Sequence, residues 1–261
     1  MKVIVAGYGP VGQAVEYVLN KRGGIEVFVD DPFKEKEYDI TSLRTSATYE
    51  EPVGVVVCVA TPMREDGSCN TDNVRDVFNK YGDQVKYLIK SAVDPLYLDD
   101  YSVFYDLTVS PEFLGSSNIN RNTLEEFEHQ TYAIYGGSDP RFWDELFKPV
   151  LPDLETVRYC TLQQAAFAKY VENTFLATKV AFFNEMYKIY QDIGFEGFDG
   201  MVDAITIDPR IGRSHTQVPG PDGKFGYGGH CLPKDMAALR YIAPKSPLLD
   251  AVTDVNEEHR K

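Results

Sequence analysis

The chain has 261 residues, of which 43% are hydrophobic and 25% charged. This composition is that of a folded globular protein, which excludes a disordered or fibrous chain, and the length suits two domains. Lys and Arg number 26 against 40 Asp and Glu, which gives a formal net charge of −14. We therefore expect neither a nucleic acid nor an anionic membrane surface as a partner.

The apolar runs and the cysteines bear on the compartment. Residues 2–6 are apolar but end at Gly7, too early for a signal peptide, and the longest apolar run, residues 53–60, is too short to span a membrane. The four cysteines form no CxxC pair and no metal-binding pattern with histidine. Free thiols, no bound metal and a cytoplasmic location are the expectation.

The first half of the chain alternates short apolar runs with helical patterns. These predict buried strands at residues 3–6, 27–29, 53–59, 85–89 and 103–105, and helices at residues 10–22 and 71–81. Strands that alternate with helices pair in parallel, because each helix crosses over the sheet to the next strand.

The second half is predicted to be helical. Residues 162–193 contain neither Pro nor Gly and are apolar nearly all round, which predicts one long helix buried on several sides. A second copy of the chain is one candidate to cover it. Shorter helices are expected near residues 198–207, 234–243 and 247–258, with a Gly- and Pro-rich segment at 208–229.

A glycine-rich turn follows the first predicted strand and opens the first helix. Its GxGxxG pattern allows a tight turn and lets a pyrophosphate approach the backbone at a helix N-terminus, whose free N–H groups favour an anion. An acid at the end of the second strand accepts hydrogen bonds from a ribose diol and repels a 2′-phosphate, which favours NAD over NADP. The residues expected to contact this cofactor are Gly7, Gly9, Pro10, Val11, Gly12 and Asp30. A glycine turn needed only for packing is the alternative.

These patterns together predict an α/β fold of two domains. The first, residues 1–158, is a Rossmann-like, doubly wound parallel sheet that binds NAD. The second, residues 159–261, is an all-helical domain built on one long central helix, and it carries the candidate nucleophile.

The segment GYGGHCLPKD at residues 226–235 contains that nucleophile. Pro233 favours a helix start, which puts Cys231 at or just before a helix N-terminus. There the free N–H groups favour a thiolate, and Lys234 adds positive charge. A small buried hydrophobic side chain is the alternative for any free cysteine, and it is the prediction for Cys58, Cys69 and Cys160.

Three further polar residues fit the same chemistry. Lys169 and Asn173 lie four residues apart on the long helix, so they share one face from which both can donate hydrogen bonds to an oxyanion. Glu112 follows a strand end, at the edge of the sheet where α/β proteins bind ligands. The alternative for Lys169 and Asn173 is a lysine that reaches solvent beside a solvated amide, and the alternative for Glu112 is a surface carboxylate.

The ordered segments resemble the UDP-glucose/GDP-mannose dehydrogenase family, the nucleotide-sugar 6-dehydrogenases. The resemblance covers nearly the whole chain and is carried by GYGPVG, ATPMREDGSCNTDNV at 60–74, KSAV at 90–93, SPEFL at 110–114, KYVENTFLATKVAFFNE at 169–185, DPRIG at 208–212, GYGGHCLPKD at 226–235 and the closing VNEEHRK. It implies oxidation of a sugar C6 alcohol to a carboxylate with two NAD⁺, through a thiohemiacetal and a thioester.

The resemblance also implies a role for each matched residue and a homodimer paired through the long helix. Cys231 would be the nucleophile, Lys169 and Asn173 would stabilise the oxyanion, and Glu112 would assist water as a general base. By the same resemblance, Asp235 would orient the lysine and a water. The residues along the cofactor would be Thr61, Pro62, Ser91 and Lys234. The residues that contact the substrate would be Phe113, Leu114, Phe225, Gly228 and a neighbouring subunit's copy of Arg210.

Three departures from the family pattern stand out. Ala92 replaces the threonine of the usual Ser-Thr-Val, and Ser116 replaces a second acidic residue four positions after Glu112. The chain also stops before the usual third domain, so a short form that lacks the C-terminal nucleotide-binding domain is the expectation. Two other functions stay open: a β-hydroxyacid-type two-electron dehydrogenase, and a non-catalytic NAD-binding remnant of the family.

Overall fold

The computed structural model describes residues 1–33, 53–114 and 122–261. Within these ranges the chain forms a seven-stranded sheet in the order β2-β1-β3-β4-β5-β6-β7, and four helices follow the last strand. The strands are β1 (Lys2–Ala6), β2 (Glu26–Asp30), β3 (Val53–Val57), β4 (Lys86–Ile89), β5 (Asp106–Val109), β6 (Tyr132–Gly137) and β7 (Thr156–Cys160).

The first five strands are parallel, as the alternation of strands and helices predicts. Ala6 lies opposite both Asp30 and Val57, and the same row continues through Ile89 to Val109. The carboxyl ends of these strands therefore meet at one edge of the sheet. This is the edge at which open α/β sheets bind ligands.

The last two strands run in the opposite direction. β6 pairs antiparallel with β5, and β7 is parallel to β6. Neither strand is among the predicted ones, because YAIYGG and TVRYC mix polar and aromatic residues and resemble no buried apolar run.

In the described part of the chain five α-helices connect the strands, and polar side chains fix where three of them begin. Asp94, Asn122 and Asp139 each accept a hydrogen bond from a backbone N–H group in the first turn of the helix that follows. The helices are α1 (Pro10–Leu19), α2 (Asp72–Tyr81), α3 (Pro95–Ser102), α4 (Thr123–Glu128) and α5 (Pro140–Phe147).

The strand predicted at residues 103–105 is wrong. The N–H groups of Phe104 and Tyr105 both bond to the carbonyl of Tyr101, so these residues end α3, and β5 begins only at Asp106. The side chains of Val103 and Phe104 are exposed. An apolar triplet beside a helix end has the composition of a strand, and three residues are too few to show a period.

Apolar cores cover both faces of the sheet. Val55 and Val57 of β3 pack in a core with Phe78 of α2, whereas Val56 packs in a second core with Trp143 of α5. Alternate residues of a strand point to opposite faces, so β3 is buried on both sides. This is the doubly wound arrangement that the sequence predicts, and the predicted fold class is confirmed.

The chain divides into two compact units. The first consists of Met1–Pro62 and Asn70–Lys169, and the second of Met63–Cys69 and Tyr170–Lys261. The predicted boundary after residue 158 differs from this division, because Leu162 and Ala165 at the start of the long helix pack in a core of the sheet. The helices after β7 are α6 (Leu162–Asp192), α7 (Phe198–Ile205), α8 (Cys231–Ile242) and α9 (Pro247–His259).

The long helix α6 is continuous over the predicted length. Tyr170 and Ala177 on one side are fully buried, but Phe175 and Phe182 are 63% and 55% exposed. Neither α6 nor any other helix in the described ranges combines the length and the low polarity needed to cross a membrane.

Gly137→Ala is predicted to destabilise the protein by more than about 2 kcal/mol. Gly137 has a φ of +136°, and a Cβ there would lie 2.1 Å from the carbonyl oxygen of Leu107 in β5. Gly194→Ala is the control, because Gly194 has a φ of +80° but a Cβ there meets no atom within 4 Å. Thermal unfolding checks the prediction, and equal losses in the two variants would show that the contact with β5 costs nothing.

Candidate functional site

The glycine-rich turn after β1 has the geometry that the sequence predicts. Gly7 has a φ of +92°, its N–H donates to the carbonyl of Asp30 at 2.8 Å, and a Cβ there would lie 2.8 Å from the backbone of Cys58. A Cβ on Gly12 would lie 2.0 Å from the carbonyl oxygen of Gly7. The fold itself therefore requires glycine at both positions.

Gly9 differs from the other two glycines of the turn. It is exposed at the N-cap of α1, and a Cβ there would meet no atom within 4 Å. Pro10 begins the helix, and Val11 packs against one of the cores. Open space beside the free N–H groups of a helix N-terminus fits the pyrophosphate of a dinucleotide. The residues of the turn therefore fit NAD.

Asp30 ends β2, where the sequence puts the ribose contact, and its carboxylate has two partners. Lys80 Nζ lies 2.7 Å from Oδ1, and the hydroxyl of Tyr81 donates to Oδ2 at 2.6 Å. The neighbouring Asp31 accepts a hydrogen bond from the N–H of Tyr8 at 2.7 Å, which joins the turn to the end of β2. A ribose diol would share Asp30 with its two donors or displace them, and this contact stays a prediction.

Two hydroxyl groups expected along the cofactor donate to the backbone. Thr61 Oγ1 donates to the carbonyl of Ala92 at 2.8 Å, and Ser91 Oγ donates to the carbonyl of Val59 at 2.7 Å. These bonds join the segment after β3 to the segment after β4. Pro62 is exposed beside them. Each hydroxyl oxygen still has lone pairs for a cofactor group, and these roles stay predictions.

A buried ion pair lies at the same edge of the sheet. Lys90 directly follows β4, Glu112 follows β5, and their side chains are only 3% and 7% exposed. Lys90 Nζ lies 3.3 Å from Oε2 of Glu112 and 3.2 Å from Oγ of Ser110. Glu112 is among the predicted site residues, whereas no role is predicted for Lys90. The feature of the sequence that could have indicated a role for Lys90 is a charged residue directly after a buried apolar strand.

The residues expected to contact the substrate in this unit follow Glu112. The ring of Phe113 packs against Tyr132, with centroids 5.5 Å apart, and Nζ of Lys169 lies 5.0 Å from the Phe113 centroid. Leu114 packs against the core that contains Trp143. The cation of Lys169 therefore faces the SPEFL segment. Ser116 lies outside the described residues.

Cys231 is the first residue of α8, and it is exposed. The helix start that the sequence predicts from Pro233 is confirmed. Cys58, Cys69 and Cys160 are less exposed, and none of the four cysteines forms a disulfide bond.

Asp235 lies one turn after Cys231 and is 1% exposed. Its carboxylate accepts a hydrogen bond from Nδ2 of Asn173 at 2.5 Å and pairs with the ammonium of Lys234. An amide nitrogen carries two N–H bonds, so Asn173 can hold Asp235 and donate to an oxyanion at once. The resemblance implies that Asp235 orients Lys169, and this role stays a prediction. Within the second unit, Asp235 contacts Lys234.

Polar residues that the sequence analysis left unassigned hold the glycine-rich segment before α8. The N–H of Gly226 donates to Oδ1 of Asn184 at 2.9 Å, and that of Tyr227 donates to Oδ1 of Asn256 at 2.6 Å. Arg260 Nε donates to the carbonyl of Tyr227 at 3.0 Å. Their signal was the closing VNEEHRK motif, which contains Asn256 and Arg260.

Packing explains why residue 228 is a glycine. A Cβ on Gly228 would lie 1.9 Å from Nη2 of Arg260, so the arginine excludes any side chain there. Only the backbone of Gly228 can reach a substrate. Phe225 is partly exposed, and its ring centroid lies 5.7 Å from that of Tyr187. Both substrate contacts stay predictions.

Arg210 lies on a loop that is bound to α6. Its side chain is 88% exposed and pairs with Asp208 at 2.6 Å. Lys179 of α6 donates to the carbonyls of Ile211 and Gly212 at 2.7 and 2.9 Å. An exposed guanidinium on a fixed loop suits a contact with a group outside its own chain.

Cys58 is predicted to stay unmodified under conditions that alkylate Cys231. Burial raises the pKa of the Cys58 thiol to about 12. At pH 8 its thiolate fraction is then about one in ten thousand, and only the thiolate reacts. Treatment of the folded protein with iodoacetamide, followed by peptide mapping, checks this, with the urea-unfolded protein as the control. Equal labelling of the two cysteines in the folded protein would contradict it.

Known proteins resemble this chain in sequence and in fold. Residues 163–258 match the model of the UDP-glucose/GDP-mannose dehydrogenase family, central domain. A UDP-glucose 6-dehydrogenase of Rickettsia bellii is 28% identical over 238 residues, which cover 83% of this chain and 52% of the relative. The solved UDP-glucose dehydrogenase of the archaeon Pyrobaculum islandicum has a TM-score of 0.76 at 23% identity, over 98% of this chain and 68% of that one.

A second kind of enzyme shares the fold. The 3-hydroxyisobutyrate dehydrogenase of Mycobacterium tuberculosis has a TM-score of 0.65 at 16% identity, over 99% of this chain and 94% of that one. The chain spans about half the length of several curated relatives, from 43% to 52%. At these identities the solved structures establish the fold alone. The sequence match goes further than the fold, because residues 163–258 resemble the central domain of the UDP-glucose/GDP-mannose dehydrogenase family.

Proposed function

We propose that the chain acts as an NAD-dependent nucleotide-sugar 6-dehydrogenase, which oxidises the C6 alcohol of a UDP- or GDP-sugar to a carboxylate. The observation that carries the proposal is the exposed Cys231 at the start of α8, one turn before the joined side chains of Asp235, Asn173 and Lys234. Oxidation of an alcohol to an aldehyde needs no thiol, whereas a nucleophile that forms a covalent adduct assists oxidation to the acid. The match of residues 163–258 supports the same reaction.

The glycine turn, Asp30, Lys169 and Asn173 would serve both oxidations. NAD, when bound, would accept a hydride from C6 each time, and the turn at residues 7–12 with Asp30 would hold it. Lys169 and Asn173 would donate hydrogen bonds to the C6 oxygen, which carries negative charge as an alkoxide and in each tetrahedral species.

Cys231 and Glu112 would perform the steps between aldehyde and acid. The thiolate of Cys231 would add to C6 of the aldehyde, and oxidation of this thiohemiacetal would leave a thioester. Glu112 would take a proton from the water that attacks the thioester carbonyl. The C–S bond then breaks, which returns the thiolate and releases the carboxylic acid, whose remaining proton passes to solvent to give the carboxylate.

The test is the ratio of NADH formed to substrate consumed, measured for a panel of UDP- and GDP-sugars. We expect two NADH per uronate, and an acyl adduct on Cys231 in intact-protein mass spectra during a single turnover. A ratio of one would indicate a two-electron dehydrogenase. Calorimetry that detects NAD binding, with no turnover of any sugar, would indicate a non-catalytic protein.

The second candidate is a two-electron dehydrogenase of the β-hydroxyacid type. The fold shared with the mycobacterial 3-hydroxyisobutyrate dehydrogenase favours it. Such an enzyme needs a lysine beside the alcohol but no thiol, so Cys231→Ala would oxidise a 3-hydroxy acid at the wild-type rate. A wild-type protein that leaves 3-hydroxy acids unchanged would exclude this candidate.

We also propose that two copies of the chain pair through α6. Phe175, Phe182 and Ile189 recur every seven residues and are 63%, 55% and 45% exposed, and they form an apolar stripe along one face. Sedimentation should detect a dimer, and a Phe175→Glu, Phe182→Glu variant should be monomeric. Tyr241→Glu, which places the same charge on an exposed ring of α8, is the control. A monomeric wild-type protein would contradict the proposal.

A further inference from the structure

Lys90 and Glu112 form an ion pair where neither side chain is more than 7% exposed. Removing two charges from water costs several kcal/mol per ion, and apolar residues of similar volume often give a core that is as stable or more so. Fold stability therefore gives little reason for this pair. Its place at the carboxyl edge of the sheet indicates a functional reason.

The backbone holds both residues in register. The N–H of Lys90 donates to the carbonyl of Val57 at 2.9 Å, and that of Ser110 donates to the carbonyl of Ile89 at 3.0 Å. These bonds continue the ladder beyond the ends of β4 and β5. Lys90 and Ser110 therefore lie side by side at the edge of the sheet. Glu112 follows Ser110 by two residues.

Aromatic rings enclose the ammonium group. Lys90 Nζ lies 5.1 Å from the ring centroid of Phe127 and 5.7 Å from that of Phe147, and both rings are buried. Ser110 Oγ and Glu112 Oε2 also contact the ammonium, at 3.2 and 3.3 Å. A cation between ring faces and two oxygen acceptors has little freedom to turn to another partner.

The carboxylate is fixed from both sides. Oε2 of Glu112 faces Lys90, and Oε1 accepts a hydrogen bond from the N–H of Phe113 at 3.1 Å. Each carboxylate oxygen has about two lone-pair sites, so a fixed Glu112 can still accept a proton from water. We propose that Lys90 is a positioning residue for Glu112. Lys90 orients the Glu112 carboxylate and compensates its charge during thioester hydrolysis. This inference rests on the proposed function and deepens it.

The hydrolysis step shows why the charge matters. The water oxygen bonds to the thioester carbon, one water proton passes to Glu112, and the C–S bond breaks with its electron pair returning to the sulfur of Cys231. A buried carboxylate that lacks a positive partner is stabilised in its protonated form, which cannot take that proton. Loss of Lys90 should therefore slow hydrolysis and leave the earlier steps intact, because they do not use Glu112.

Lys90→Met tests the inference. We expect hydrolysis of the acyl adduct to slow by about a hundredfold, the usual contribution of a general base. The rate of NADH formation in the first turnover should be nearly unchanged, so the adduct on Cys231 accumulates in intact-protein mass spectra. Lys90→Arg keeps the charge and should recover much of the hydrolysis rate. Lys86→Met is the matched control, because Lys86 lies at the other end of β4 and pairs with Asp106 at 2.9 Å.

A double variant keeps the test decisive if Lys90→Met alone folds poorly. Lys90→Met combined with Glu112→Gln leaves no buried charge unpaired, and it should hydrolyse the adduct at the rate of Glu112→Gln alone. Additive losses in the double variant would overturn the inference. So would a Lys90→Met variant in which NADH formation in the first turnover slows as much as hydrolysis of the adduct. A wild-type protein that forms no NADH from any nucleotide sugar would refute the proposed function itself, and the inference with it.

Discussion

Cys231→Ser is expected to lower uronate formation by at least about a thousandfold while the protein stays folded. Cys231 is exposed, so an isosteric serine removes no packing. A serine hydroxyl stays protonated near neutral pH and is a much weaker nucleophile than a thiolate. Uronate is measured by mass spectrometry, and thermal unfolding confirms the fold.

Two comparisons make this result specific. Cys160→Ser is the matched control, because Cys160 ends β7 with its sulfur 3.9 Å from the carbonyl of Tyr135, and it should keep full activity. Cys231→Ser supplied with the alcohol should yield one NADH and an aldehyde or its hydrate. Uronate formed by Cys231→Ser at the wild-type rate would mean that the reaction needs no adduct on this cysteine.

Gly9→Val should weaken NAD binding without disturbing the fold. Gly9 has φ −70° and ψ −171°, which valine readily adopts, and a Cβ there meets no atom within 4 Å. The added side chain would fill the space through which a pyrophosphate reaches the backbone. We expect the affinity for NAD, measured by calorimetry, to fall by at least about tenfold, or 1.4 kcal/mol.

Two other glycines separate cofactor binding from folding. Gly23→Val is the matched control, because Gly23 is also exposed and open, and this variant should bind NAD normally. Gly12→Ala should lower the unfolding temperature, since its Cβ would lie 2.0 Å from the carbonyl oxygen of Gly7. If Gly9→Val bound NAD as the wild type does, the turn would not be the cofactor site.

The parts of the fold that could be predicted have a strong local pattern. β1, β3 and β4 are apolar runs bounded by turns, and α6 is a long segment without Gly or Pro. β5 was misplaced because Asp106 begins it and the exposed pair Val103 and Phe104 precedes it. The pairing of β6 with β5 depends on contacts between segments, which no single segment encodes.

The same distinction applies to the candidate site. Cys231 and the glycine turn could be predicted, because each lies in a short motif with a helix start. Lys90 is 22 residues from Glu112, and Arg260 is 33 residues from Tyr227. Such partners become neighbours only when the chain folds, so spacing along the sequence gives no sign of them.

The bonds from Lys179 to the carbonyls of Ile211 and Gly212 have a consequence for a paired molecule. They attach the loop that presents Arg210 to the same helix that carries the apolar stripe. In a dimer, a rotation of one α6 against the other would displace that loop as well. Assembly and sugar recognition would then respond to one movement, so a substitution that changes the helix crossing would alter substrate affinity from a distance.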